Sequence, residues 1–253
     1  MNSGLLQYAA RGRAFRSIGT HQKFDREAFR LISPLVDHTK FPRRRDILKF
    51  EGLGGPDGLK LKGDYNTSHM WDPVNEIGHL PVWIESHHKN MAAALKRGDI
   101  VEASFHAGWM AHYLTDSMTP AHHISHELVT AEYKDAGKLR YSWLYWGSKG
   151  LMSTHVAFEM GVSSAVFFSP IRSKYDAKLT QKIATNGLAA VVKEESLQVA
   201  KLGLYDRFLK KGWTTDLAKA MKSQVIPRTT QLIAATWASA YDTAGFKLAE
   251  KKR

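Results

Sequence analysis

The sequence predicts an all-α protein built as a helical bundle. Apolar residues recur at steps of three and four through several long segments, as they do on the buried face of a helix. No segment shows the regular apolar and polar alternation that is typical of a strand. The 253 residues suit one large helical domain or two small ones, and the lack of a linker or repeat favours one.

Helix boundaries follow from residues that start or stop a helix. The first helix is predicted to begin near Asp25 and to end at Pro34. A second begins at Asp99, an N-cap residue, and ends before Pro120, and the last is kinked at Pro227. The first and last helices cover residues 24–33 and 215–244, further helices are predicted over 80–97 and 172–201, and the segments 51–79 and 119–135 are predicted to be irregular.

Three parts of the chain are distinguished. Residues 1–18 are predicted to be an N-terminal extension, either disordered or the result of a misplaced start, and they lack the continuous apolar core of a secretory signal. Residues 19–246 form the helical domain, and residues 247–253 form a basic tail. No run of eighteen apolar residues occurs, so no transmembrane helix is predicted.

Composition limits the chemistry that the chain can perform. Cysteine is absent, which excludes disulfides, thiolate zinc sites and cysteine nucleophiles. The formal net charge is +12, which favours anionic partners such as phosphate esters, nucleic acid or membrane surfaces without choosing among them.

The segment 106–123 carries the strongest functional signal. His112 and Asp116 are four residues apart, so they lie on one helix face and can approach a single ion. Pro120 ends the helix, which allows His122 to turn back from a new segment. Histidine and aspartate are ligands that zinc accepts.

A second pair, His155 and Glu159, repeats this spacing in a helix that is apolar on nearly every side. A buried carboxylate is costly unless it is paired or coordinates a metal, and no Lys or Arg lies near either pair in sequence. Singly, each histidine is explained as well by a hydrogen bond in the core. Two pairs and a following histidine together favour a metal site in the bundle.

These motifs resemble those of the zinc-dependent phospholipase C family, which belongs to the superfamily of the S1/P1 nucleases. The run HYLTD at 112–116 with its following proline and histidine is similar to the family signature H-Y-x-G-D-x-x-x-P-x-H, with Thr115 in place of the usual glycine. The run SHMWDP at 68–73 is similar to a second family segment, and residues 155–159 match its H-x-x-x-E motif.

The resemblance implies an all-α fold of the phospholipase C and P1 nuclease type with two or three zinc ions. Carried over to this chain, the ligands are Asp57, His69, His112 and Asp116 for one ion, His122, His155 and Glu159 for a second, and His21 with the bridging Asp116 for a third. Asp64 is an alternative to Asp57, although the spacing to His69 favours Asp57. The N-terminal tryptophan that chelates the third zinc in the family has no counterpart before His21.

The other histidines near these motifs are given no role. They are His79, His87, His88, His106, His123 and His126.

The implied activity is phosphodiester hydrolysis of a phospholipid to diacylglycerol and a phosphorylated headgroup. Asp57 is the candidate for orienting or deprotonating the attacking water, because the corresponding family aspartate is placed to do so. The resemblance also suggests an exported protein. We expect a monomer that contacts membranes peripherally through its basic surface.

Two alternatives stay open. An S1/P1-like nuclease acting on single-stranded nucleic acid agrees with the positive charge, whereas Glu159 and the segment 69–73 favour the phospholipase. A bundle with a purely structural metal is the other alternative. Structural zinc usually has four protein ligands, whereas the second site here offers three, which argues against this alternative.

Overall fold

The computed structural model describes residues 19–51, 54–61, 69–123, 147, 150–167 and 169–249. Within these ranges the chain is predominantly helical, with one pair of two-residue strands, so the all-α prediction is confirmed. None of the helices in these ranges is long and apolar enough to cross a bilayer. The N-terminal extension lies outside them, and the predicted domain limits stay predictions.

The elements are numbered in chain order. The α-helices are α1 (Thr20–Ile32), α2 (Arg44–Lys49), α3 (Pro56–Leu61), α4 (Leu80–Arg97), α5 (Ile100–Ser117), α6 (Leu151–Phe167), α7 (Ala177–Asn186), α8 (Leu188–Lys201), α9 (Leu204–Lys211), α10 (Thr215–Ala220) and α11 (Ile226–Thr243). Two 3₁₀ turns (Ser33–Leu35 and Pro120–His122), one π turn (Met221–Val225) and an antiparallel pair of two-residue strands, β1 (Trp71–Asp72) and β2 (Ile77–Gly78), complete the described part.

Helix α5 lies at the centre of the bundle. It forms a tight hairpin with α4, which ends at Gly98 in the left-handed region (φ 75°) that glycine adopts without strain. Asp99 then caps α5 by accepting the backbone N–H of Glu102 at 2.9 Å. On the opposite side, the buried indole of Trp237 in α11 donates to the carbonyl of Ala107 at 3.1 Å. Polar residues of α5 that face inward are therefore shielded from solvent.

An ion-pair network joins the C-terminal helices. The guanidinium of Arg228 in α11 donates to both carboxylate oxygens of Glu195 in α8, each at 2.7 Å. It also donates to Asp176, the N-cap of α7, at 2.8 Å. The hydrogen bonds to Glu195 are the main cause of the raised pKa of Arg228, and the negative charge of Glu195 adds to the shift. This bidentate geometry fixes α7 and α8 against α11.

Several boundaries differ from the predictions. Helix α1 begins at Thr20, because the Gly19 N–H is satisfied by the Gln22 side chain, so Asp25 lies inside the helix and does not start it. The predicted helix over 172–201 is two helices, since Gly187 (φ 83°) ends α7. The segment 51–79, predicted to be irregular, contains α3 and the strand pair.

The predicted kink in the last helix takes the form of a π turn. Pro227 lies in the first turn of α11, directly after this turn, where its missing N–H breaks no helical hydrogen bond. The departure from α-helical hydrogen bonding therefore precedes the proline.

Helix α6, which carries His155 and Glu159, packs against a tryptophan through a glycine. A Cβ added at Gly161 would overlap the indole of Trp213. Trp213 also packs edge-on against Phe158 at a centroid distance of 5.6 Å. The absence of a side chain at this position thus sets how closely α6 approaches the following helices.

We expect Gly161→Ala to destabilise the protein by about 1–3 kcal/mol, because overpacking outweighs the better helix propensity of alanine. Urea unfolding followed by circular dichroism measures the change. In a protein that already carries Trp213→Ala, adding Gly161→Ala should lower the free energy of unfolding much less. Equal losses in both backgrounds would contradict the proposed contact.

Candidate metal centre

The carboxylate of Asp116 is the centre of the site. It lies on α5, is completely buried, and is approached by four imidazole nitrogens. Its Oδ2 is 2.8 Å from His69 Nδ1 and 3.3 Å from His112 Nε2. Its Oδ1 is 3.7 Å from His21 Nε2 and 3.6 Å from His122 Nε2. The distance of 3.3 Å between His112 and Asp116 confirms the prediction that the two residues share a helix face.

A first set of donor atoms surrounds one side of this carboxylate. His112 Nε2 is 3.1 Å from His69 Nδ1 and 3.8 Å from Asp57 Oδ1, and His69 Nδ1 is 4.0 Å from the same oxygen. Ligands held at about 2.0–2.2 Å around tetrahedral zinc lie about 3.4 Å apart. These three residues together with Asp116 therefore have spacings that fit one zinc ion.

A second set lies on the other side. Glu159 Oε1 is 2.9 Å from His122 Nε2 and 3.0 Å from His155 Nε2, and all three residues are buried. His155 and Glu159 lie on successive turns of α6, and His122 enters from the 3₁₀ turn that Pro120 begins. These three donors leave coordination positions for a fourth ligand such as water.

The rings of the second set are oriented by the backbone. His122 Nδ1 donates to the His69 carbonyl, and His155 Nδ1 donates to the Ala121 carbonyl at 3.2 Å. A neutral imidazole that donates through Nδ1 has its lone pair on Nε2, the atom that faces Glu159 in both rings. This is the tautomer that a metal ligand requires.

A third group consists of His21, Glu51 and His112. Both ring nitrogens of His21 are buried and accept or donate no hydrogen bond within the described residues. The rings of His21 and His112 stack at a centroid distance of 4.1 Å and an interplanar angle of 8°. Buried nitrogens without a hydrogen-bond partner are uncommon, so this position fits a further cation.

Glu51 was not predicted from the sequence. It follows α2 as a single acidic residue before a glycine-rich segment, and no spacing pattern links it to a histidine. In the fold it is completely buried, with Oε1 2.9 Å from His112 Nδ1 and 3.5 Å from His21 Nδ1. Asp25, one helical turn after His21, is also buried and was likewise missed as part of this region.

The electrostatics of the cluster are dominated by burial and by histidine. Burial raises the pKa of Glu51 to about 7 although His112 opposes the shift. Burial would also raise the pKa of Asp116, but the nearby His122 and His112 lower it well below its usual value. Burial disfavours a charged His112, yet Glu51, Asp116 and Asp57 raise its pKa well above normal. Within the described residues, the ion-pair partners of Glu51, Asp57 and Asp116 are histidines.

These donor sets fit divalent cations. Buried carboxylates and imidazoles at 2.8–4.0 Å, with no buried Lys or Arg paired to Glu51, Asp57 or Asp116 in the described ranges, need positive charge to offset their burial. Oxygen and nitrogen donors without sulfur suit zinc in tetrahedral geometry.

Four of the histidines without a predicted role have side-chain partners outside the three donor groups. His123 Nε2 donates to the Ser117 carbonyl at 2.7 Å, His87 and His106 join through their Nδ1 atoms at 2.9 Å, and His88 lies 3.1 Å from the Ser239 hydroxyl. Asp64 and His126 lie outside the described residues.

The fold is similar to that of alpha-toxin from an avian strain of Clostridium perfringens. Its crystal structure aligns with a TM-score of 0.55 and 17% sequence identity, over 90% of this chain and 65% of that chain. The chain thus spans 65% of the length of this structural relative. At this identity the likeness shows the fold alone. No protein-family model and no curated protein sequence matches the chain.

We expect Asp116→Asn to reduce metal content in both neighbouring donor sets, because one carboxylate faces them both. Elemental analysis of protein purified with zinc measures the ions per chain. The control is His123→Ala, whose ring is engaged with the Ser117 carbonyl, and it should retain the wild-type metal content. A larger loss in His123→Ala than in Asp116→Asn would show that the ligands are assigned incorrectly.

Proposed function

We propose that this protein is a zinc-dependent phosphodiester hydrolase of the phospholipase C type. The observation that carries the proposal is the convergence of two donor sets on Asp116, inside an all-α fold similar to that of alpha-toxin. The motifs at 68–73, 112–122 and 155–159 support the same family from the sequence.

The proposed ligands are those predicted from the motifs: His21, Asp57, His69, His112, Asp116, His122, His155 and Glu159. Zinc held by these side chains supplies Lewis-acid chemistry, which polarises phosphate oxygens, lowers the pKa of a water molecule and offsets leaving-group charge. The residues contribute neutral imidazole lone pairs and carboxylates whose orientation the fold fixes before substrate arrives. Two or three ions are proposed, depending on the group around His21.

Asp57 is proposed to orient the attacking water and to accept its proton. It is 9% exposed, whereas Asp116 and Glu51 are completely buried, so of these three carboxylates Asp57 is the one that solvent reaches. Its Oδ2 makes no hydrogen bond to any described residue, which leaves an acceptor for that water. Water adds to phosphorus and gives a proton to Asp57, the P–O bond to the lipid alcohol breaks, and the leaving oxygen takes up a proton to form diacylglycerol.

Access to a lipid substrate is proposed to rest on the protein surface. Val74 in the turn between the strands is 68% exposed, and Val82 and Trp83 in the first turn of α4 are 65% and 39% exposed. This segment directly follows the ligand His69 in the chain. Apolar side chains of this kind, combined with the net charge of +12, suit peripheral contact of a monomer with an anionic bilayer.

Single-stranded nucleic acid is the second candidate substrate. A wide, open groove of about 630 Å³ is lined by Arg43, Arg44 and Arg45, with Phe29 and His38 beside them. Arginines next to an aromatic ring suit a phosphate backbone with stacked bases. The histidine–glutamate pair on α6 favours the phospholipid.

The substrate class is tested with p-nitrophenyl phosphocholine, anionic phospholipid vesicles and single-stranded DNA, each with the zinc-loaded protein. We expect cleavage of the first two, with release of p-nitrophenol from p-nitrophenyl phosphocholine and of diacylglycerol from the vesicles, and loss of cleavage to background when a chelator removes the metal. Degradation of DNA with intact vesicles would favour the nuclease. No cleavage of any of the three would contradict a phosphodiesterase.

We expect Asp57→Asn to lower kcat for p-nitrophenyl phosphocholine by about 10²–10⁴-fold, because the amide cannot accept the proton of the water. The fold should persist, since Asp57 lies at the edge of the cluster. Steady-state kinetics and circular dichroism measure both properties, with Asp46→Asn, on the surface of α2, as the control. Unchanged kcat would remove Asp57 from the mechanism.

A further inference from the structure

The buried carboxylate of Glu51 lies beside the Nδ1 atoms of two stacked imidazoles. His21 and His112 are nearly parallel, with ring centroids 4.1 Å apart. Their Nδ1 atoms lie 3.5 and 2.9 Å from Glu51 Oε1, and their Nε2 atoms lie 3.7 and 3.3 Å from the two oxygens of Asp116. The two rings are therefore held between one carboxylate at their Nδ1 side and another at their Nε2 side.

The two ends of these rings face different surroundings. At the Nε2 side, the donor atoms of Asp57, His69 and Asp116 approach His112 at spacings that fit a shared ion. At the Nδ1 side, the contact of 2.9 Å between His112 and Glu51 has the length of an N–H donating to a carboxylate. An ionised carboxylate only accepts, so Nδ1 carries a proton in this contact, and a neutral ring then has its lone pair on Nε2.

We propose that Glu51 is a positioning residue that orients His112, and with it the stacked His21, so that both Nε2 atoms face Asp116. This inference rests on the proposed function, because orientation of Nε2 matters for a metal ligand. Glu51 would thus take the role that backbone carbonyls take for His122 and His155.

A direct ligand role for Glu51 is the competing assignment. It would require His112 to give up its hydrogen bond at Nδ1, or to bind ions through both nitrogens. The contact of 2.9 Å favours the hydrogen bond, and Glu51 lies on the far side of the rings from Asp57, His69 and Asp116. The two assignments differ in the number of ions that a variant without Glu51 can hold.

The test compares wild-type protein with Glu51→Ala and Glu51→Gln by zinc titration against a competing chelator. We expect Glu51→Ala to bind the wild-type number of ions at saturation, with affinity 10–100-fold weaker. Glu51→Gln should lose less, because its amide oxygen still accepts from Nδ1. Loss of one ion per chain at saturating zinc, or unchanged affinity in both variants, would overturn the proposal.

The matched control is Glu195→Gln, since Glu195 is also buried but pairs with Arg228 away from the site. It should lower thermal stability and leave zinc affinity unchanged. An equal fall in zinc affinity in Glu195→Gln would mean that Glu51 acts only through stability, which overturns the proposal.

A second measurement covers the case in which the Glu51 variants do not fold. In wild-type protein, ¹⁵N-edited NMR should show a protected Nδ1–H proton of His112, shifted downfield by its carboxylate partner. Absence of this proton would overturn the proposal. Wild-type protein that shows the proton but binds no zinc would refute the proposed function and leave the orientation of His112 by Glu51 intact.

Discussion

The structure depends on one buried carboxylate with imidazoles on every side. Asp116 is unexposed, and its two oxygens face His69 and His112 on one side and His21 and His122 on the other. An anion in this position is tolerable only when positive charge surrounds it, so the elements that bring the four rings must all be in place. Asp116 lies on α5, which packs against α4 and α11, and it is completely removed from water.

The chain controls which nitrogen each ring presents. Three of the rings use Nδ1 for an acceptor supplied by the fold: a carboxylate for His112 and backbone carbonyls for His122 and His155. Because a neutral imidazole has one donor and one acceptor, these hydrogen bonds leave the lone pair on Nε2, the atom that faces the carboxylates. The irregular segments around the bundle therefore contribute as much to the geometry as the helices that carry the residues.

Spacing along a helix was the reliable signal in the sequence. The pairs His112 with Asp116 and His155 with Glu159 could be placed because one turn separates their members, and the apolar periodicity gave α4 and α5 almost to the residue. Glu51 could not be placed, since its partner His112 is 61 residues away and no local pattern connects them. Gly187 was overlooked because a single glycine is tolerated in many helices, whereas here its positive φ separates two.

The donors of this centre come from widely separated parts of the chain, from residue 21 in α1 to residue 159 in α6. Contacts between segments so distant in sequence are entropically expensive and form late in folding, after local hairpins such as α4 with α5. On the ribosome, residues 112 and 116 are synthesised well before residue 159, so the second donor set cannot assemble until α6 has emerged. A nascent chain shorter than that length has only part of the cluster, and the packing that stabilises it is complete only in the finished bundle.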